Sequence, residues 1–131
     1  MIARKNRFHG YGSLRYVYQN GQTVRGQLCA LKYVRNSRRD TYRIAVVVSK
    51  KVSKSAVVRN RIRRRLYEAV RQTVLPSEPF DLIINVYSDQ LASCPDSELR
   101  QVVFDKLHAA GITIRTPEER HRGIVDKKEI V

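Results

Sequence analysis

Leu14, Val17 and Tyr18 recur at spacings of three and four, which predicts a short helix with Ser13 as N-cap and Gly21 as its stop. Leu28 to Val34 and Tyr42 to Val48 are β-branched or apolar runs separated by the polar stretch Arg35 to Asp40. That pattern predicts a hairpin with a strongly basic connection. The clearest helix covers residues 55–75, with Ser53 or Ser55 as N-cap and Pro76 as terminator. At helical periodicity Val58, Ile62, Leu66, Ala69 and Val70 share one side, while Asn60, Arg61, Arg64, Tyr67, Glu68 and Arg71 fall on the other. Phe80 to Tyr87 is apolar apart from Asp81 and Asn85 and reads as a buried strand. A last helix is capped by Asp96 or Ser97, presents Leu99, Val102, Val103, Phe104 and Leu107, and ends at Gly111.

The order is therefore helix, two or three strands, helix, strand, helix: an α+β layer sandwich built on one sheet. So few strands cannot hide both faces behind short helices, and one face is left open for a ligand. Residues 1–12 carry Arg4, Lys5, Arg7 and His9 without periodicity and read as a basic arm, residues 13–111 as the folded domain, and residues 112–131 as a tail of mixed charge. A chain of 131 residues supports a single core. The longest uncharged aliphatic run, Ile44 to Val48, is too short to span a bilayer, and the start has the wrong composition for a secretory signal. Cys29 and Cys94 have no metal-type spacing, so a reducing, cytoplasmic setting is expected and no membrane partner.

Charge changes the picture most. Of 26 basic and 12 acidic residues, 19 basic and only 2 acidic ones lie within residues 1–71. An asymmetry of this kind points to a polyanion. It peaks between Lys50 and Arg71, where Lys50, Lys51, Lys54, Arg59, Arg61, Arg63, Arg64, Arg65 and Arg71 face a single acid, Glu68. A solvated helix face normally alternates sign, and like charges at helical spacing destabilise the isolated helix. Arginine favours forked phosphate and base-edge contacts, and Asn60 among them can read a base edge or sugar. The tyrosines nearby (Tyr11, Tyr16, Tyr18, Tyr33, Tyr42, Tyr67) offer stacking surfaces, which fits single-stranded RNA better than a DNA groove, although packing explains each tyrosine singly just as well.

Catalytic chemistry is not supported. His9, His108 and His121 are scattered, Asp96 and Glu98 suit a helix first turn, and Cys29 reads as a small packed side chain. With no metal-binding carboxylate cluster, an autonomous nuclease is excluded; no catalytic residue and no protein-bound metal is expected. The chain reads as a binding subunit.

Ser49-Lys50-Lys51-Val52 followed by Ala56-Val57-Val58-Arg59-Asn60-Arg61-Ile62-Arg63-Arg64 closely resembles the signature of the bacterial ribonuclease P protein component. Arg4-Lys5-Asn6, Leu14 to Tyr18 with Gly21, Arg43 to Ser49 and Asp81 to Ile84 fall in that family's order. The resemblance implies an α/β sandwich with one small mixed sheet and a left-handed crossover, like domain 2 of ribosomal protein S5. It implies a protein that binds a catalytic RNA through Arg59, Asn60, Arg61, Arg63 and Arg64, to which the charge run adds Lys50, Lys51, Lys54, Arg65 and Arg71. That RNA removes the 5′ leader of precursor tRNA, with Mg2+ held mainly by RNA, and a cleft holding the leader maps to Leu14, Tyr18, Lys32, Ala45 and Val47. Leu14 stands where the family commonly has an aromatic, a loss that Tyr16 or Tyr11 would make good. Other departures are the longer Arg7 to Ser13 stretch, the Ser53-Lys54-Ser55 turn, and Tyr87 where an arginine often ends the strand. A ribosomal or other structural RNA-binding protein is the alternative.

Overall fold

The computed structural model describes residues 6–7, 11–38, 40–75 and 77–112. Strands β1 (Gln22–Val24), β2 (Cys29–Arg35), β3 (Arg43–Val47) and β4 (Phe80–Val86) form one mixed sheet in the order β1-β2-β4-β3. Strand β4 runs antiparallel to β2, with Leu31 opposite Ile84, and parallel to β3, with Val46 also opposite Ile84. Helices α2 (Ala56–Thr73) and α3 (Asp96–Ala109) bury one face of the sheet, and α1 (Tyr11–Asn20) sits on the other.

The predicted hairpin does not form. β2 and β3 run in opposite directions, but β4 lies between them. The connection, residues 36–42, is long enough to cross two strand spacings, about 10 Å. The middle position suits β4 because Leu82, Ile83 and Ile84 are all buried, with Leu82 and Ile84 facing α2 and α3 while Ile83 faces α1. A strand apolar on both sides gains most where both faces are covered.

Helix boundaries differ in instructive ways. α1 begins at Tyr11, so Ser13 lies inside it instead of capping it, and residues 11–12 belong to the helix and not to the arm. Gly21 does end it, but without left-handed backbone: only Gly111 has positive φ among the described glycines. Close approach is the reason, since a Cβ on Gly21 would lie 2.6 Å from the Val17 carbonyl oxygen and 2.8 Å from that of Tyr33. Ser55 caps α2 as expected, its Oγ accepting from Val58 N–H at 3.3 Å; Pro76 lies outside the described residues. α3 starts after Pro95, whose ring offers no acceptor for a side-chain cap, so Asp96 and Ser97 lie inside the helix and the Asp96 carboxylate pairs with Arg65. At its end Gly111, at φ 74°, donates to His108 O, and Ile112 donates to Leu107 O, the paired bonds of a glycine-stopped helix.

Two polar clusters tie the sheet together. Asp81, 3% exposed, receives Arg43 Nε and Nη2, each at 2.9 Å, and Asn36 Nδ2 at 3.0 Å. This joins the starts of β3 and β4 to the loop between β2 and β3. Buried Asn6 donates to Thr41 Oγ1 at 2.9 Å and to Tyr42 O at 2.8 Å, and Arg7 bridges in parallel to Ile44. This part of the predicted arm is therefore fastened along the outer edge of β3, where Val46 N–H also donates to Tyr67 Oη at 3.4 Å. Tyr67 is half-buried: its hydroxyl meets β3 and its ring packs on the core cluster, while it also lines an open groove with Asn60. The other residues of the predicted arm and tail (1–5, 8–10 and 113–131) lie outside the described residues. Among the described residues no helix is long and apolar enough to cross a membrane.

Candidate nucleic-acid interface

The buried stripe of α2, Ile62, Leu66, Ala69 and Val70, fixes the helix on the sheet and decides which cations face outward. Arg61 and Arg64 are exposed and form no hydrogen bond or ion pair with any described residue. Asn60 Oδ1 accepts from Arg63, and Arg59 donates to Ser53 O at 2.9 Å, so these two arginines are held in place beside the free pair. With Arg7, Val57 and Tyr67, residues Asn60, Arg63 and Arg64 line a groove of about 780 Å³. Its one strongly exposed aliphatic side chain is Val57, at 74%. Arg7 lies 6.0 Å from the Tyr67 ring centre, a cation over an aromatic face. Lys50 and Lys54 are exposed in the segment leading into α2.

Arg65 and Arg71 are differently placed. The Arg65 guanidinium donates to Leu91 O at 2.7 Å, to Cys94 O, and to Asp96 Oδ1 at 3.0 Å, and its side chain is only 18% exposed. It fastens α2 to the 3-10 turn Asp89–Ala92 and to the start of α3. Arg71 pairs with Glu68 one helical turn back, Nε to Oε1 at 2.9 Å. That bond holds the Glu68 carboxyl well below the usual carboxylate range, at about 2. A depressed pKa adds stability above the unfolded value of about 4.3, and that stability is lost as pH falls toward the folded one. The difference in melting temperature between the wild type and Glu68→Gln should therefore shrink steadily between about pH 4.3 and about pH 2. A difference independent of pH across that range would remove the ion pair as its cause.

The face of the sheet opposite α2 is only partly covered by α1. Leu14 packs with Val17, Ala45 and Ile83 beneath the helix, so Leu14 and the 6%-exposed Ala45 form the seat of α1 and not an open surface. Tyr18, Lys32 and Val47, by contrast, line one groove of about 520 Å³. Tyr18 Oη donates to Asn85 Oδ1 at 2.9 Å, and Lys32 Nζ stands 5.6 Å from the Tyr18 ring centre. Three further lining residues, Arg25, Asn85 and Tyr87, are not foreseen from the sequence, and Lys51, expected with the α2 cations, lines this groove instead. Alternation along β4 is the available signal: Asp81, Ile83 and Asn85 share a face, so the polar break at Asn85 marks where that face opens. Tyr87, 56% exposed, is the second aromatic here. Tyr16 lines a different cavity, with Gly12, Arg35 and Arg38, and so does not replace the aromatic missing at Leu14; the Tyr11 side chain lies outside what is described.

The Cys29 thiol is buried and pushed up by that burial. Among the described residues no group of three or more His, Cys, Asp or Glu could hold a metal ion.

The class is a small mixed α+β domain that carries arginines without described partners on one outer helix and a tyrosine-lined, lysine-bearing groove on the other side of the sheet, chemistry suited to a polyanion. The family model described as Ribonuclease P matches residues 2–110. The chain belongs to the ribonuclease P protein family, the protein subunit of an enzyme of tRNA processing. The ribonuclease P protein component of Chloroflexus aggregans is 35% identical over 119 residues, covering 89% of this chain and 85% of that protein. That of Prochlorococcus marinus strain MIT 9515 is 30% identical over 126 residues, covering 85% and 96%. A Staphylococcus aureus ribonuclease P protein mutant superposes with a TM-score of 0.72 at 19% identity over 84% of this chain and 92% of that one, a likeness of fold.

Proposed function

We propose that this protein binds the catalytic RNA of ribonuclease P through the outer face of α2 and the 5′ leader of precursor tRNA in the open sheet groove, while the RNA performs the cleavage. The observation that carries this reading is the separation of two cationic surfaces by the sheet, Arg61 and Arg64 on the α2 side and Tyr18, Lys32 and Tyr87 on the other. Two surfaces suit two RNA strands held at once. Arg65 contributes by positioning α2, Arg71 is paired with Glu68 within the helix, and Arg59, Asn60 and Arg63 shape its N-terminal half. We assign magnesium to RNA phosphates because, among the described residues, no group of three or more His, Cys, Asp or Glu could hold a metal ion. The cytoplasm is the compartment that holds both RNAs.

Purified protein, a transcript of the catalytic RNA and precursor tRNA should be combined with magnesium, together and with each omitted. Specific 5′ cleavage is expected only where the catalytic RNA is present; cleavage by the protein with precursor tRNA alone would overturn the division of labour. In the same assay Tyr18→Ala should weaken precursor tRNA binding by about 1–3 kcal/mol if a base stacks there, and leave mature tRNA binding unchanged. An equal loss for both tRNAs would return Tyr18 to a packing role.

A further inference from the structure

The cleft between α2 and α3 has its own charge pattern, separate from the groove beside Arg7. It measures about 450 Å³ and is lined by Arg61, Arg64 and Arg65 from α2 and by Asp96, Leu99 and Arg100 from α3, with Glu68 at its side. Four guanidiniums thus meet two carboxylates, and both carboxylates are committed. Asp96 sits four residues before Arg100, the natural spacing for a helical ion pair, yet its carboxylate is taken by Arg65 at 3.0 Å. Glu68 is taken by Arg71. Arg61, Arg64 and Arg100 are left with no hydrogen bond or ion pair to any described residue. Their mutual repulsion is unrelieved within the cleft, and the Arg65 bridge keeps the two helices from spreading to relieve it.

We propose that this cleft is a phosphate-binding site in which Arg61, Arg64 and Arg100 together hold a backbone phosphate of the bound RNA, so that the RNA surface continues from α2 onto α3. The proposal rests on the reading that α2 faces RNA and adds a second helix to that surface. A phosphodiester suits the site better than a carboxylate peptide, because several forked donors converging from two helices match a tetrahedral anion with oxygens pointing in different directions. The apolar floor, Ala69 and Leu99, keeps the donors from being satisfied by the protein itself. Arg100 escapes a sequence reading because it lies in the acidic half of the chain, with no basic neighbour on its own helix before Lys106.

Binding of the full-length protein to a transcript of the catalytic RNA should be measured across a salt series for the wild type, Arg100→Ala, Arg64→Ala and the double variant, with thermal unfolding on the same samples. Arg100→Ala should lower affinity and reduce the slope of log affinity against log salt by at most about 0.7–0.9, the change for one whole phosphate no longer neutralised, since Arg61 and Arg64 still share it. The double variant should lose less than the two single losses combined, because both residues serve one phosphate. Wild-type affinity and slope in Arg100→Ala, with a loss in Arg64→Ala, would overturn the cleft and leave the α2 reading standing. No loss in either variant would overturn both. Arg100→Gln, which keeps much of the side chain's length and a polar head, serves if the alanine variant is unfolded.

Discussion

Asp81→Ala should destabilise the protein by about 3–5 kcal/mol, the usual cost of leaving one member of a buried ion pair without its partner. The two side chains are 4% and 14% exposed, so neither is well solvated. Removing the carboxylate takes from Arg43 its two bonds of 2.9 Å and takes away the acceptor of Asn36 Nδ2. The loss falls where the loop between β2 and β3 must span β4, so the geometry of the whole crossing depends on it. Asp81→Asn keeps an acceptor while removing the charge and should cost less than the alanine. Urea unfolding of the three proteins measures this, and a cost below about 1 kcal/mol for Asp81→Ala would mean that Arg43 finds other solvation.

The double substitution Arg61→Ala, Arg64→Ala should leave the fold intact and weaken catalytic RNA binding by about tenfold or more. Each guanidinium is free of described protein partners, so its bonds to RNA are charge-assisted contacts worth about 1.5 kcal/mol or more, and about 1.4 kcal/mol is a factor of ten. Alanine is the better helix former, and removing two like charges relieves repulsion along α2, so the melting temperature should hold or rise. Arg65→Ala makes the contrast. It should lower the melting temperature clearly, because Leu91 O, Cys94 O and the Asp96 carboxylate lose their common donor. Unchanged RNA affinity in a folded double variant would reduce the arginine run to a solubilising surface.

These contrasts show what a sequence can convey and what it leaves out. The length, cap and buried stripe of α2 are local properties, set by Ser55, by the spacing of Ile62, Leu66 and Ala69, and by the charge run; all of them are legible in the chain itself. So are the strand character of residues 80–86 and the α+β class. Partner choice is not legible, because periodicity says that a segment is a strand and not which strand lies beside it. The run of cations counts charges without saying which are spent inside the protein. Arg65 meets acceptors that follow β4 in the chain, a relation with no local trace, whereas the bond from Arg71 to Glu68, three positions apart, is open to reading. In the open groove, transfer by resemblance names Tyr18, Lys32 and Val47, but Leu14 and Ala45 pack in the seat of α1, and the second tyrosine lining the groove is Tyr87, while Tyr16 lines another cavity.

The central position of β4 also governs when this molecule can come into being. Every rung joining β2 to β4, from Cys29 with Val86 to Arg35 with Phe80, links residues on opposite sides of all of α2. β2 and β3 have no common ladder until β4 arrives, so the sheet cannot close before residue 86 has left the ribosome. The most cationic stretch of the chain is then already made, attached to a nascent chain that has no sheet to hold it. Ordering contacts so distant in sequence is slow compared with winding a helix. An RNA that neutralises α2 early would meet a chain still lacking the strand against which that helix packs. The sheet is therefore completed only by seven residues, Phe80–Val86, that hold no lysine or arginine of their own.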